Sequence, residues 1–387
     1  MIFEILEADQ FKQDLEESAF ILSSILKKIH PTIHSPLFSL EQPPMAQGKM
    51  RASGIRPRID ISFSSANDEP RRHKAMGTLG TERSQIGFKK QLFIMPFDHR
   101  GSFQEKLFGI KGRQPTAQET AEIASYKRII FDGFQQAIAM GVPRDKAGIL
   151  VDEQFGSEIL KEAKALGFMT ACPAEKSGQD EFDFEYGQEF GAHISRFHPT
   201  FVKVLVRYNP EGDAQMNQRQ SERLKQLSEY CHKNQIKFMF ELLVPATSNQ
   251  LASVNSSSAR FDQELRPNLM IRAMESLQNF GIEPDVWKLE GIETAQDSKR
   301  VAEQAQKNGR SGVGVIVLGR GENAEKVKHW LTTAAKVPGL IGFAVGRTIF
   351  WEPLKAVKDG KISKAEAVQQ VAKNYKGFCD LWSQAQA

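Results

Sequence analysis

From Gln91 onward the chain alternates short apolar runs with longer stretches in which apolar residues recur every three to four positions. The runs are "LFIMPFDHRG", "AGILVDEQFG", "FMTACPAEKSG", "FVKVLVRYNP", "FMFELLVPA", "VWKLEGI", "VGVIVLGRG" and "GLIGFAVGRTIF", beginning at Leu92, Ala147, Phe168, Phe201, Phe238, Val286, Val313 and Gly339. Short runs bounded by Gly and Pro read as strands. Between them, "TAEIASYKRIIFDGFQQAIAMG", "NQRQSERLKQLSEYCHKNQ" and "RPNLMIRAMESLQNFG" carry helical spacing, with Gly141 and Gly281 as stop signals. Most strand-to-strand intervals are roughly 20 to 40 residues, enough for a strand, a loop and a helix.

Eight such units predict an α/β fold, a closed parallel (β/α)8 TIM barrel over residues 89–387, about the usual size for one domain. An open doubly wound sheet competes, but it calls for a Gly-rich turn directly after the first strand. "GRGEN" has too few glycines for that turn and follows the seventh run.

Strand alternation then assigns faces, with one set of side chains meeting the helices and the other filling the lumen. In the fourth run Val202, Val204 and Val206 face out, leaving Lys203, Leu205 and Arg207 inside. In the fifth, Glu241 points in between Phe240 and Leu242. In "PDVWKLEGIE", Trp287 and Leu289 face the helices while Val286, Lys288 and Glu290 face the lumen. The first run sends Asp98 and Arg100 inward, and counting along the eighth sends Val345 and Arg347 inward.

Three neighbouring strands are thus expected to bring Lys203, Glu241 and Lys288 into one interior. A salt-bridged plug is the bland alternative, but barrel plugs are mostly apolar and branched, and buried charges are costly. Two amines beside a carboxylate have a chemical use. A desolvated lysine near a second ammonium has its pKa lowered, which frees a lone pair to form an imine with a carbonyl. A carboxylate beside it can move the protons. "LGRGEN" and "VGRTIF" place Gly319, Arg320, Gly346 and Arg347 after the seventh and eighth strands, where barrels often hold phosphate.

The segment before the barrel reads differently. Net charge is about −4 over residues 1–45, +6 over 46–90 and +2 over the remainder, so the total of +4 hides one basic stretch. Residues 5–28 have the apolar spacing of one amphipathic helix, and the basic stretch has the composition of a disordered linker. Residues 1–88 are therefore expected to form a largely irregular N-terminal extension. Little aromatic interleaving and no binding motif argue against a nucleic-acid partner. No apolar run approaches a membrane span, and the N-terminus lacks signal-peptide character, so the expected location is cytoplasmic. Cys172, Cys231 and Cys379 have neither disulfide nor zinc-ligand spacing, and His193, His198 and His232 are scattered; no metal or other cofactor is expected.

Taken together, these motifs resemble the class I aldolases that include tagatose 1,6-bisphosphate and sulfofructosephosphate aldolases. They are most similar to the aldolase-like C-terminal domain of 5-dehydro-2-deoxygluconokinase fusions of inositol breakdown, over about residues 90–385. "FDHRGSF" resembles an Asp-Gln-Arg-Gly type of motif with His99 in place of glutamine. "VKVLVRYN", "FMFELLVP", "DVWKLEG" and "AVGRTIFW" resemble strands four, five, six and eight, whereas "VIVLGRG" departs from a Ser-Ala-Gly type of seventh strand.

The resemblance implies an imine on Lys288, proton movement by Glu241 and electrostatic help from Lys203, with Asp98, Arg100, Glu175 and Lys176 lining the site. It implies cleavage of 2-deoxy-5-keto-gluconate 6-phosphate to dihydroxyacetone phosphate and malonate semialdehyde. The partner is then a phosphorylated sugar substrate. Residues 1–90 are too short and irregular for a kinase domain, so any kinase partner is expected on a separate chain; a homo-oligomer is allowed but not dictated. A metal-dependent lyase on the same fold and a non-catalytic phosphosugar-binding barrel remain as alternatives.

Overall fold

The computed structural model describes residues 86–387. The helix expected over 5–28 and the linker up to residue 85 lie outside the described residues. Eight strands close into a parallel barrel in sequence order, each pairing with its chain neighbours and β1 with β8. They are β1 Leu92–Pro96, β2 Ala147–Leu150, β3 Met169–Pro173, β4 Phe201–Arg207, β5 Lys237–Leu243, β6 Val286–Glu290, β7 Gly314–Leu318 and β8 Leu340–Ala344. The fold is a TIM barrel, as the eight-fold alternation predicts.

Around it run α1 Ala117–Ala139, α2 Glu153–Ala165, α3 Phe190–Phe197, α4 Ala214–Lys233, α5 Arg266–Asn279, α6 Ala295–Gln306, α7 Ala324–Ala335, α8 Arg347–Lys358 and α9 Lys364–Gln386, with shorter helical turns in the loops. The ends of these helices follow local chemistry. Thr116 and Ser363 form capping boxes with Glu119 and Glu366 at the starts of α1 and α9. Gly141 and Gly281, just past α1 and α5, adopt φ of 105° and 91°.

Two apolar layers hold the barrel. Outward side chains such as Phe93, Val202, Phe240, Trp287 and Phe343 pack under the helices. Inward ones, Leu92, Ile94, Leu150, Ala171, Phe201, Met239, Val286, Ile316 and Ile341, fill the lower lumen with Phe88 packed against them. Residues 86–88 lead into the barrel floor. Gly87 N–H donates to the buried Asp285 carboxylate at 2.7 Å, and the Phe88 ring meets Phe201 edge-on at 5.2 Å. At the seam between the first and last strands, Trp382 of α9 touches the rings of both Phe93 and Phe343, and the Tyr375 hydroxyl donates to the Phe93 carbonyl at 2.7 Å.

One inward assignment is corrected. Val345 packs in the outer layer, because the β7–β8 register shifts between Val315 and Ile316, so that Leu340 and Gly342 face successive β7 residues. Ile341 points in, yet so does Ala344: the irregularity absorbs one residue and reverses the count beyond it.

Candidate active site

A cavity of about 490 Å³ opens at the C-terminal ends of the strands, the end at which barrels of this kind carry their chemistry. Lys203, Glu241 and Lys288 meet there. Register fixes the pairing: Glu241 lies directly beside Lys288, and Lys203 one inward position lower on the adjacent strand. The Glu241 Oε2 accepts from Lys288 Nζ at 2.6 Å and lies 3.0 Å from Lys203 Nζ. The Lys203 ammonium also reaches Asp98 just beyond β1 at 2.8 Å and Glu175 just beyond β3 at 2.6 Å. One buried cation therefore ties β1, β3 and β5 to β4.

These distances decide the protonation states. Burial alone would lower the Lys203 pKa, but Asp98, Glu175 and Glu241 outweigh it and hold the amine well above its usual range. It is a permanent ammonium. Burial pushes Asp98 up while Lys203, aided by His99 and Lys288, pulls it far below the usual carboxylate range. Burial likewise opposes Lys203 and Lys288 at Glu241, whose pKa ends lowered. Glu175 comes out the other way: its burial, with Asp98 nearby, prevails over Lys203 and Arg100 and raises it. The His99 ring is held down at about 4 by burial and by the charges of Arg347, Lys288 and Lys127, against the pull of Asp98.

Each remaining expected residue has a definite place. Arg100 lines the cavity but is engaged, donating to Glu185 at 2.7 Å and to the Glu175 carbonyl at 2.6 Å. Lys176 lines the rim with an exposed side chain. Gly319, Arg320, Gly346 and Arg347 line the β7–β8 side. There, Arg320 commits its guanidinium to Asp262 at 2.7 Å and faces Glu290 at 3.4 Å; what it presents to Arg347 is its carbonyl, 2.9 Å from the guanidinium. Among the described residues, Arg347 has no carboxylate partner.

Glu290, expected in the lumen beside Lys288, is a strut and not part of the cavity wall. It accepts from the Val244 amide at 3.1 Å and faces Arg266 at 3.6 Å. Gly321, absent from the sequence-level set, proves important. Its φ is +84°, and a Cβ there would lie 2.6 Å from the Arg347 guanidinium carbon, so the arginine lies flat on bare backbone. Its signal was only the "GRG" spelling. Glu185, which orients Arg100, carried no signal at all, because the loop from Glu175 to Phe184 had to fold back as a bridge before it could be placed.

The cysteines are buried free thiols, and His193 Nδ1–H donates to the Glu153 carboxylate at 2.8 Å on a helix surface. Among the described residues, no three His, Cys, Asp or Glu side chains are grouped to hold a metal, and no helix is long and apolar enough to cross a membrane.

An eight-stranded α/β barrel whose mouth carries a lysine, a glutamate and a second lysine on three consecutive strands defines the class of molecule. The chain belongs to the family described as "Uncharacterized protein conserved in bacteria (DUF2090)", whose model matches residues 61–386. A similar solved structure is that of fructose-bisphosphate aldolase from Plasmodium falciparum, determined with TRAP and a small-molecule inhibitor. The two share 14% identity and a TM-score of 0.52 over 78% of this chain and 92% of that one, a likeness of fold. No curated protein matches the chain.

Proposed function

We propose that the protein is a lyase of the class I aldolase type, cleaving a phosphorylated keto sugar acid through an imine on Lys288. The observation that carries this reading is the shared oxygen of Glu241, 2.6 Å from Lys288 Nζ and 3.0 Å from Lys203 Nζ. It separates two amines by role. Lys203, surrounded by three carboxylates, stays protonated and serves as a fixed positive charge. Among the described residues, Lys288 has one carboxylate partner, which is placed to take its proton.

Cleavage of 2-deoxy-5-keto-gluconate 6-phosphate then passes through an iminium and an enamine. Lys288 Nζ adds to C5, and the carbinolamine loses water to give the iminium. Glu241 takes the proton of the C3 hydroxyl, the C3–C4 bond breaks, and its electron pair enters the iminium to give an enamine; malonate semialdehyde leaves. The enamine carbon regains the proton from Glu241, and water hydrolyses the imine to release dihydroxyacetone phosphate and the free lysine. Arg347, seated on Gly321 beside the Gly346 backbone, is suited to the phosphate.

Borohydride reduction in the presence of dihydroxyacetone phosphate, followed by peptide mass mapping, tests the assignment. The expected adduct sits on Lys288 and vanishes in Lys288→Met, with turnover lost by at least about a thousandfold. Cleavage without any adduct on Lys288 would end the imine reading, and an adduct on Lys203 would exchange the two lysines.

A further inference from the structure

The cations lining the cavity divide into two sets. Arg100, Lys203, Lys288 and Arg320 each meet a carboxylate within 3.4 Å. Among the described residues, Arg347, Lys106, Lys176 and Arg207 do not; the nearest such contact is Asp180 to Arg207 at 4.0 Å, and Asp180 is 96% exposed. So exposed a partner, at that distance, neutralises little. Lys106 has Glu105 beside it in the same turn, and both line the cavity, so that turn adds no net charge. Arg347, Lys176 and Arg207 remain, and they lie at two separate places.

Arg347 begins α8, directly after β8. Arg207 is the last residue of β4, and Lys176 follows β3. In a ring of eight strands, the β3–β4 edge is diametrically opposite the β7–β8 edge. The loop after β3 brings the far pair to the same edge: Arg207 donates to the Gln179 carbonyl at 2.7 Å, three residues beyond Lys176. The nearby Glu181 does not cancel their charge, because its carboxylate is turned to Arg219 and Arg223, each at 2.7 Å. The pocket is positive at both ends, with the imine-forming lysine between.

We propose that the β3–β4 edge is a carboxylate subsite, in which Arg207 and Lys176 hold the acid group of a ligand whose phosphate lies at Arg347. The inference rests on the phosphosugar reading of the pocket and sharpens it, because it makes the acid group a determinant of recognition. The arginine supplies a planar fork suited to a carboxylate, and the lysine supplies a mobile second charge.

Equilibrium binding of three unreactive six-carbon probes tests this on the full chain. The probes are 6-phosphogluconate, glucitol 6-phosphate and glucitol 1,6-bisphosphate, which differ only at the end away from the shared phosphate. The wild type is expected to bind 6-phosphogluconate about tenfold more tightly than glucitol 6-phosphate, the scale of a charge-assisted contact. Arg207→Met is expected to abolish that preference and Lys176→Met to reduce it, with glucitol 6-phosphate affinity held within about twofold as a check on folding. Arg207→Lys, which keeps the charge, retains part of the preference. Equal wild-type affinity for the acid and the alcohol overturns the subsite, as does equal weakening of both by Arg207→Met. Tighter binding of the bisphosphate assigns the far end to phosphate and also overturns it. None of the probes has a ketone or aldehyde, so these outcomes are independent of imine trapping: an acid preference without a Lys288 adduct keeps the subsite and removes the imine from Lys288.

Discussion

The lower and upper lumen are built on the same inward faces of the same strands, and they differ in every other respect. On β4, Phe201 fills the floor and Lys203 stands one inward step above it; on β6, Val286 lies below Lys288. The floor is a plug of buried apolar side chains, whereas the centre of the mouth is a cluster of buried charges paired around Lys203 and Glu241. Alternation along a strand decides which side chains enter the barrel, and height along it decides whether they are apolar or charged.

Breaking each layer separately distinguishes them. Lys203→Met removes the cation shared by Asp98, Glu175 and Glu241, leaving three buried carboxylates without it; stability should fall by about 3–5 kcal/mol and turnover should fall with it. Phe201→Ala should cost about 3–5 kcal/mol in the floor by opening a cavity, yet leave kcat/KM near the wild-type value below its lowered melting temperature. Denaturant unfolding paired with kinetics separates the two. A floor variant that lost activity while folded would show that the layers are not independent.

A smaller effect is expected at the phosphate end. Gly321→Ala places a methyl group against the Arg347 guanidinium in a backbone region that disfavours side chains. KM for a phosphorylated substrate should rise by about tenfold, with kcat less affected. Unchanged KM would remove Arg347 from phosphate binding.

The smallest effect is on pH dependence. His99 titrates at about 4 in the fold, below the roughly 6.5 of an unfolded histidine. Between those values the unfolded chain takes up a proton that the folded chain does not, so stability falls as pH drops from about 6.5 to 4 and is unaffected by this group above that window. His99→Gln should flatten that slope in pH-dependent denaturation. The lowered pKa of Glu241 acts further down, since its contribution is present above the unfolded value and lost only as pH falls through the folded one.

Much of this was legible in the chain because the barrel is regular. The eight apolar runs start within a residue of the observed strands, and period-two counting put Lys203, Glu241 and Lys288 on the right face. Counting failed where the lattice did: the β7–β8 irregularity turned Val345 outward, and no periodicity announces a register shift. It also could not see partners. Glu290 is held by Arg266 and Arg320, and the Arg320 guanidinium is paired with Asp262. Pairing depends on loops that cross between strands, and those contacts are written in no local pattern.

The clasp at the seam has a consequence in time. Trp382 and Tyr375 stand within the last helix, and they grip the first and last strands together. During synthesis β1 is complete long before α9 exists, so the ring cannot be locked until α9 has left the ribosome. Asp98, the carboxylate that β1 contributes to the charged mouth, reaches its final partner only in a closed ring. The charged mouth should therefore assemble in one step once α9 has emerged, and chains truncated before α9 should not carry a fraction of it.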